Sequence, residues 1–131
     1  MSATYDFLKE CGVFFVLTTD EQQPMGRPFG AIMEYKNSLF FSTATKKEVY
    51  KQLKTNPKVQ IVAIKAGTRD WIRVNGVAVE CNELDLKQQM LDRCPALKNR
   101  FPSADCQYYA LFEITQKQAL LNTDGQFQTI D

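Results

Sequence analysis

The stretch LFFSTATKKEVYKQLK, from Leu39 to Lys54, contains the pattern of a strand, a polar turn and a helix. Its first three residues form a short apolar run typical of a β-strand. Thr45 and Glu48 have the spacing of a capping box, in which the threonine caps the helix and the glutamate reaches back to it. Val49 and Leu53 then recur at helical spacing. The sequence therefore predicts a helix whose first two positions are the lysines that follow Thr45.

These two lysines predict an anion site. Lys46 and Lys47 fall at the helix N-terminus, where the helix dipole already places partial positive charge. Free backbone N–H groups and the hydroxyls of Ser42, Thr43 and Thr45 add donors, a combination that favours a phosphate. The alternative is a solvated helix end that binds nothing. The stretch is not a P-loop, because the glycines and the GK[ST] end of that motif are missing.

The length and net charge of the chain limit the number of domains and the kinds of partner it can bind. A chain of 131 residues is long enough for one domain with a proper core, residues 1–131, and too short for two. The formal net charge of +1 gives no bulk attraction for nucleic acid or an anionic membrane. No apolar run reaches the length of a transmembrane helix. The N-terminal residues lack the layout of a signal peptide, so we expect a cytoplasmic protein.

Histidine is absent, and none of the four cysteines forms a CxxC pair. This composition predicts no metal site and excludes Ser-His-Asp and Cys-His catalysis. The cysteines fit reduced thiols of a cytosolic chain. No residue stands out as a general acid or base, so catalytic residues stay unassigned. We expect any chemistry to be borrowed from a cofactor.

The pattern along the chain predicts a mainly β protein, a β-barrel with peripheral helices. Helical patterns cover residues 3–11, 46–56, 82–94 and 95–101. Strand patterns cover residues 13–19, 25–35, 38–42, 58–65, 71–81, 108–114 and 118–122. The first three strands are expected to form an antiparallel meander with a tight hairpin at Lys36-Asn37. Asp124-Gly125 predicts a turn into a short C-terminal segment, and Gly76 in mid-strand predicts a bend.

Three short stretches, read together, resemble a known family over residues 3–122. They are Gly26-Arg27-Pro28-Phe29-Gly30 in the second strand, Ser42-Thr43-Ala44-Thr45-Lys46-Lys47 after the third, and Asp70-Trp71-Ile72-Arg73-Val74-Asn75-Gly76 in the fifth. Their order and spacing are similar to those of the pyridoxamine 5'-phosphate oxidase-like family, the FMN-binding split barrels, and most of all to its short single-domain members. The resemblance implies a split β-barrel of the FMN-binding type.

The resemblance also implies which residues contact the cofactor. Lys46 and Lys47 fall where the family places two basic residues on the FMN phosphate, and Ser42, Thr43 and Thr45 fall on the turn beside it. Arg27 falls on the strand arginine that reaches the phosphate side of the flavin. Pro28, Phe29 and Gly30 fall where the strand backbone lies along the flavin ring, and Trp71 falls near the ring. The last is a departure, since the parent enzymes have a glutamine there.

Family members are typically homodimers that hold FMN between subunits, so Trp71, Arg73 and Asn75 would serve either their own flavin or the partner's. The polar tail 126–131 carries no arginine or histidine to grip pyridoxamine phosphate. The absent histidine counts against haem and against the nitro-reducing subgroup that uses one.

We expect an FMN-dependent oxidoreductase that passes hydride or electrons between a reduced nicotinamide and an unknown small substrate. Two alternatives use the same site: a non-catalytic flavin store or sensor, and a deazaflavin-dependent reductase. A barrel that binds single-stranded nucleic acid through aromatics is a third, which the near-zero net charge disfavours.

Overall fold

The computed structural model describes all residues from Met1 to Asp131. Its elements are α1 (Ala3–Cys11), β1 (Phe14–Asp20), β2 (Gln23–Phe29), β3 (Met33–Tyr35), β4 (Ser38–Ala44), α2 (Glu48–Thr55), β5 (Lys58–Ile64), β6 (Trp71–Cys81), α3 (Leu84–Arg93), a 3-10 helix (Pro95–Asn99), β7 (Tyr109–Thr123) and β8 (Gln126–Ile130). The mainly β prediction is confirmed.

The strands form one antiparallel sheet in the order β2-β1-β5-β6-β7-β4-β3, with β8 paired to β7. The predicted single strand 25–35 is wrong, because β2 ends at Phe29 and β3 begins at Met33 at the opposite end of this order. The ladder passes through Pro28 and ends at Phe29, whose partner Phe14 is the first residue of β1, and Gly30 has no side chain to pack. The meander of the first three strands is therefore also wrong.

Both predicted hairpin turns are confirmed. Lys36 and Asn37, between β3 and β4, have φ angles of 49° and 66°. Asp124 and Gly125, between β7 and β8, have φ angles of 52° and 77°. Positive φ at both central residues gives the turn twist that matches the right-handed twist of paired strands.

The predicted strands 108–114 and 118–122 are one strand, β7. The total is nevertheless eight instead of the predicted six or seven, because 25–35 divides into β2 and β3 and the C-terminal segment forms β8. β7 carries a bulge: Val77 pairs with Thr115 and Asn75 with Gln118, so two residues of β7 face Gly76. A Cβ at Gly76 would lie 2.5 Å from Cγ2 of Ile114 and 2.9 Å from the Thr115 carbonyl oxygen. The predicted bend at this glycine is thus a close backbone approach.

The barrel is closed by side chains where its sheet is open. β2 and β4 are not hydrogen-bonded neighbours, yet the Phe29 and Phe41 rings meet edge to face at 5.6 Å. Phe41 stacks in turn on Phe112 at 5.6 Å. Helix α2 adds Val49 and Leu53 to the same core cluster. This opening, bridged by aromatic rings and α2, separates the lysine turn from β2.

Helix α1 is fixed at its N-terminus by Ser2 and by the distant residue Asp131, and it ends at a glycine with positive φ. Its N-cap Ser2 accepts a hydrogen bond from the Tyr5 N–H. Asp131 closes the first turn: its Oδ1 accepts from the Ala3 N–H at 2.9 Å, and its backbone oxygen accepts from the Thr4 N–H at 3.1 Å and from the Thr4 hydroxyl. Gly12, at φ 77°, ends the helix.

The remaining helix predictions agree with the structure: α3 and the 3-10 helix lie within the predicted ranges, and α2 ends before Asn56 and Pro57. A second core cluster packs Leu86 and Met90 of α3 against the β3, β4 and β7 side of the sheet. None of the helices has both the length and the apolar character needed to cross a bilayer.

Candidate functional site

The turn between β4 and α2 differs from the prediction at its helical end. Helix α2 begins at Glu48, and Lys47 is its N-cap without a side-chain capping bond, so the predicted capping box is wrong. The Thr45 N–H donates to the Tyr108 carbonyl at 3.0 Å, and the Lys47 N–H donates to the Ala44 carbonyl at 3.0 Å. These bonds extend the β4–β7 pairing into a tight turn, which delays the helix to Glu48.

Both predicted lysines are exposed on this turn. Lys46 Nζ lies 5.7 Å from the centre of the Tyr108 ring. The three ion pairs of the protein are Lys54–Glu80, Lys65–Glu10 and Lys98–Asp92, so neither lysine of the turn pairs with a carboxylate. Two cations without a counterion thus flank a helix N-terminus that no side chain caps, an arrangement that suits an anion.

The hydroxyls predicted beside the lysines are not equivalent. Ser42 and Thr43 are only 7% and 6% exposed, whereas Thr45 is half-buried. The Ser42 hydroxyl lies 3.5 Å from the Tyr109 hydroxyl, which donates to the Lys87 carbonyl at 3.0 Å. Burial raises the pKa of Tyr109 to about 12. Successive side chains alternate across a strand, so Ser42 and Thr43 face opposite sides of β4.

Arg27 lies in the opening of the barrel and contacts α2. Its Nη1 donates to the Val16 carbonyl at 3.1 Å and to the Thr18 hydroxyl at 2.8 Å. Its Nη2 donates to Oε1 of Gln52 at 2.8 Å. Burial lowers the pKa of the Arg27 guanidinium, while the nearby charge of Glu48 acts in the opposite direction. The fold therefore brings Arg27 to the helix that carries the lysine turn.

Thr18 and Gln52, which contact Arg27, are candidate site residues that the sequence did not indicate. Gln52 is 7% exposed and belongs to the inward face of α2, beside Val49 and Leu53. A glutamine next to an apolar stripe was the available signal, since a buried amide needs hydrogen-bond partners. Its partners, Thr18 and Arg27, come from strands that the sequence could not place against α2.

The end of β2 presents its predicted residues in two directions. Phe29 is directed into the core, where it packs on Phe41 and lies 6.2 Å from the Phe14 ring. Pro28 and Gly30 are exposed, and a Cβ added at Gly30 would meet only the Gly12 carbonyl oxygen, at 3.9 Å. A flat ligand can therefore approach this backbone closely.

Trp71 lies on the outer face of the sheet, apart from the lysine turn. Its ring contacts Phe127 of β8 edge to face, with ring centres 5.4 Å apart. The Arg73 guanidinium lies 5.1 Å from the Trp71 ring centre and 5.3 Å from that of Phe127. Arg73 thus makes cation–π contacts with both rings.

Two cavities, of about 440 and 340 Å³, open on the chain. The larger one lies at the bulged end of the barrel and is lined by Thr18, Gln60 and Asn75 among others. The smaller lies beside α3 and includes Glu83 and Asp85. Neither is lined by any of the ten residues predicted from the sequence to contact a cofactor. A ligand held by those residues would therefore lie along the surface of one chain.

The sequence model of the family described as Pyridoxamine 5'-phosphate oxidase matches residues 2–119. No curated protein sequence matches the chain. A solved structure of a NimC/NimA family protein from Clostridium acetobutylicum is 34% identical, with a TM-score of 0.91 over 97% of this chain and 88% of that one.

Two further solved structures share the fold at lower identity. General Stress Protein 26 from Bacillus anthracis is 17% identical, with a TM-score of 0.78 over 95% of this chain and 94% of that one. HutZ, the heme storage protein from Vibrio cholerae, is 17% identical, with a TM-score of 0.68 over 97% and 92% of the two chains.

Proposed function

Because the chain belongs to the pyridoxamine 5'-phosphate oxidase family, as the resemblance in its sequence implied, we propose that it binds FMN through residues 1–131 as one flavin-binding domain. We further propose that it passes hydride or electrons between a reduced nicotinamide and a small substrate. The observation that carries the proposal is a set of three cations, Arg27, Lys46 and Lys47, of which none pairs with a carboxylate.

The donors around α2 suit a phosphate group. The two exposed lysines and the uncapped N–H groups of the first helical turn supply charge and hydrogen bonds at one place. Each charge-assisted hydrogen bond contributes about 1.5–3 kcal/mol. The half-buried Thr45 is the accessible hydroxyl on this turn, so in our proposal Ser42 and Thr43 shape the turn and Thr45 contacts the phosphate.

The flavin ring, in this proposal, lies along Pro28 and Gly30. Their exposed backbone offers a surface without large side chains, while Phe29 anchors the strand end in the core. When bound, the flavin supplies the centre that accepts and returns hydride. The chain's own residues hold the phosphate, orient the ring and contribute positive charge through Arg27.

The outer face of the sheet supports a homodimer. Phe15, Ile64 and Phe127 are 48%, 59% and 48% exposed. Register pairs Phe15 with Val62 and Ile64 with Trp71, so these apolar side chains form one continuous surface. Family members are commonly dimeric. We propose that a second copy covers this surface, and that Trp71, Arg73 and Asn75 then face the partner's flavin.

Haem is the competing cofactor, because HutZ, a heme storage protein, shares the fold. The chain has no histidine, which is a common axial ligand of haem iron. The unpaired lysines and the exposed Pro28–Gly30 backbone favour a phosphorylated flavin instead. All four cysteines are free thiols, as is usual in a reducing compartment, and we propose the cytoplasm as the location.

The first test is the visible absorption spectrum of the purified protein, followed by mass spectrometry of the material that heat releases. We expect an oxidised flavin spectrum and released FMN. A haem spectrum, or no uptake of added FMN, would contradict the proposal, and a deazaflavin is then the next cofactor to titrate. Oxidation of a reduced nicotinamide by the loaded protein separates an oxidoreductase from a flavin store or sensor.

A further inference from the structure

We infer that Gln52 and Thr18 are positioning residues that hold Arg27 ready for a phosphate group. The inference rests on the proposed flavin site and adds two residues to it. Neither residue lies on the lysine turn, and both act through the Arg27 side chain.

The guanidinium of Arg27 is fixed at three points. Nη1 bonds to the Val16 carbonyl and the Thr18 hydroxyl of β1, at 3.1 and 2.8 Å. Nη2 bonds to Oε1 of Gln52 in α2, at 2.8 Å. The Thr18 hydroxyl itself donates to the same Gln52 oxygen at 2.5 Å. The network thus ties the arginine to β1 and to α2, the helix that bridges the barrel opening.

All three acceptors of Arg27 are neutral. A guanidinium has five N–H donors, so the three bonds leave two donors, the number that a bidentate contact to phosphate uses. Arg27 takes part in none of the three ion pairs. The guanidinium of Arg27 is thus oriented by neutral carbonyl, hydroxyl and amide oxygens, and no carboxylate contacts it.

The anchors are better buried than the group they hold. Thr18 is 3% and Gln52 7% exposed, whereas Arg27 is half-buried. Gln52 also lies one helical turn after Glu48, and residues four apart share a helix face. The network therefore holds Arg27 about one turn below the N-cap Lys47, on the helix whose N-terminus carries the proposed phosphate contacts.

A purely structural role is the alternative, in which the network only fastens α2 to the barrel. The two roles differ in one measurable quantity, the preference for FMN over riboflavin, which lacks the phosphate. A fastening role would weaken both flavins together. A positioning role changes the affinity for FMN and leaves that for riboflavin alone.

The experiment is titration of both flavins by fluorescence quenching, with Gln52→Leu, Gln52→Glu and the surface control Gln88→Leu on α3. We expect Gln52→Leu to weaken FMN binding about tenfold and to leave riboflavin binding unchanged. Gln52→Glu should weaken FMN further, because its carboxylate takes the place of the phosphate as counterion to Arg27. The control should bind both flavins as the unchanged protein does.

Equal loss of both flavins, or unchanged FMN affinity in Gln52→Leu, would overturn the inference while the proposed cofactor stands. Failure of the unchanged protein to bind either flavin would overturn the proposed function and the inference with it. Should Gln52→Leu not fold, the pair Thr18→Val and Thr18→Ser decides instead. The valine variant should lose FMN preference and the serine variant, which keeps the hydroxyl, should retain it.

Discussion

Gly76 is the residue whose identity the backbone restricts most sharply. A Cβ there would overlap Ile114 Cγ2 at 2.5 Å and the Thr115 carbonyl at 2.9 Å. We expect Gly76→Ala to lower the free energy of unfolding by about 1–3 kcal/mol, because the bulge must shift to admit the methyl group. Urea denaturation measures this.

Gly26→Ala, on β2, is the matched control. Its added Cβ would meet only Leu17 Cγ, at an ordinary 3.5 Å. We expect a change within about 0.5 kcal/mol of zero or a small gain. Equal losses in the two variants would show that glycine is needed in these strands for another reason than close approach.

Because of Tyr109, we expect the free energy of unfolding to fall as the pH rises above 10. Burial raises the pKa of its phenol from 10.0 to about 12, so the folded state favours the neutral form. That contribution is complete below pH 10 and is lost as the pH rises towards about 12. The expected loss is about 2–3 kcal/mol.

Denaturant unfolding across this pH range tests the expectation, with Tyr109→Phe as the comparison. The phenylalanine variant is less stable at neutral pH, because the bond to the Lys87 carbonyl is gone. Its stability should fall less steeply above pH 10. Parallel pH profiles for the two proteins would contradict the assignment to Tyr109.

At the residue scale, the sequence indicated residues whose roles depend on their neighbours in the chain, and it missed contacts between residues that are distant in the chain. Gly76 stood out because a glycine in mid-strand weakens a strand without local reason. Lys46 and Lys47 stood out because they were predicted at the first two positions of an amphipathic helix, which the structure begins one residue after them, at Glu48. The bond of Arg27 to Gln52 could not be predicted, since β2 and α2 are distant in sequence, whereas Thr18 lies near Arg27 across the β1–β2 hairpin.

At the scale of the element, α2 has a poor N-terminus for stability. Lys47 occupies the N-cap position without a capping bond, where serine, threonine, aspartate and asparagine are preferred. We expect Lys47→Ser to raise the free energy of unfolding by about 1 kcal/mol and to weaken FMN binding. Thermal unfolding and flavin titration of the same variant measure both effects.

The N-cap of α3 provides the control, because Glu83 also makes no capping bond. Glu83→Ser should stabilise α3 by a similar amount and leave FMN affinity unchanged. If Lys47→Ser gains stability without losing affinity, Lys47 does not contact the phosphate. Comparing the two N-cap variants separates the effect of a cap on the free energy of unfolding from the effect of Lys47 on FMN affinity.

Elements were predictable where their signals lie within the element. The hairpin at Lys36-Asn37 and the end of α2 before Pro57 depend on neighbouring residues alone. The break after Phe29 was missed because β2 ends where its partner strand begins, at Phe14, and this limit is set by β1 and not by β2 itself. The continuity of β7 was missed because its bulge exists only opposite Gly76.

At the scale of the molecule, the exposed outer face predicts the dimer contact. Ile64→Glu places a charge in the middle of the surface formed with Phe15 and Trp71, and burying it there is costly. We expect the dimer dissociation constant to rise at least about tenfold, measured by sedimentation velocity. Flavin affinity should fall with it if Trp71 and Arg73 serve the partner's site.

Leu84→Glu is the control for added charge. Leu84 is 57% exposed, nearly as much as Ile64, but it lies on α3 and away from the outer face of β5 and β6. This variant should keep the association state of the unchanged protein. Dissociation by both variants would mean that charge in general, and not this surface, controls assembly.

The contact between α1 and Asp131 sets a sequence of events while the protein is made. The oxygens that complete the helical turn of Ala3 and Thr4 belong to a residue that is synthesised about 128 positions later. Until Asp131 is made, the N–H groups of Ala3 and Thr4 lack these acceptors. The first turn of α1 is therefore completed only after the last strand of the sheet, β8, has been synthesised.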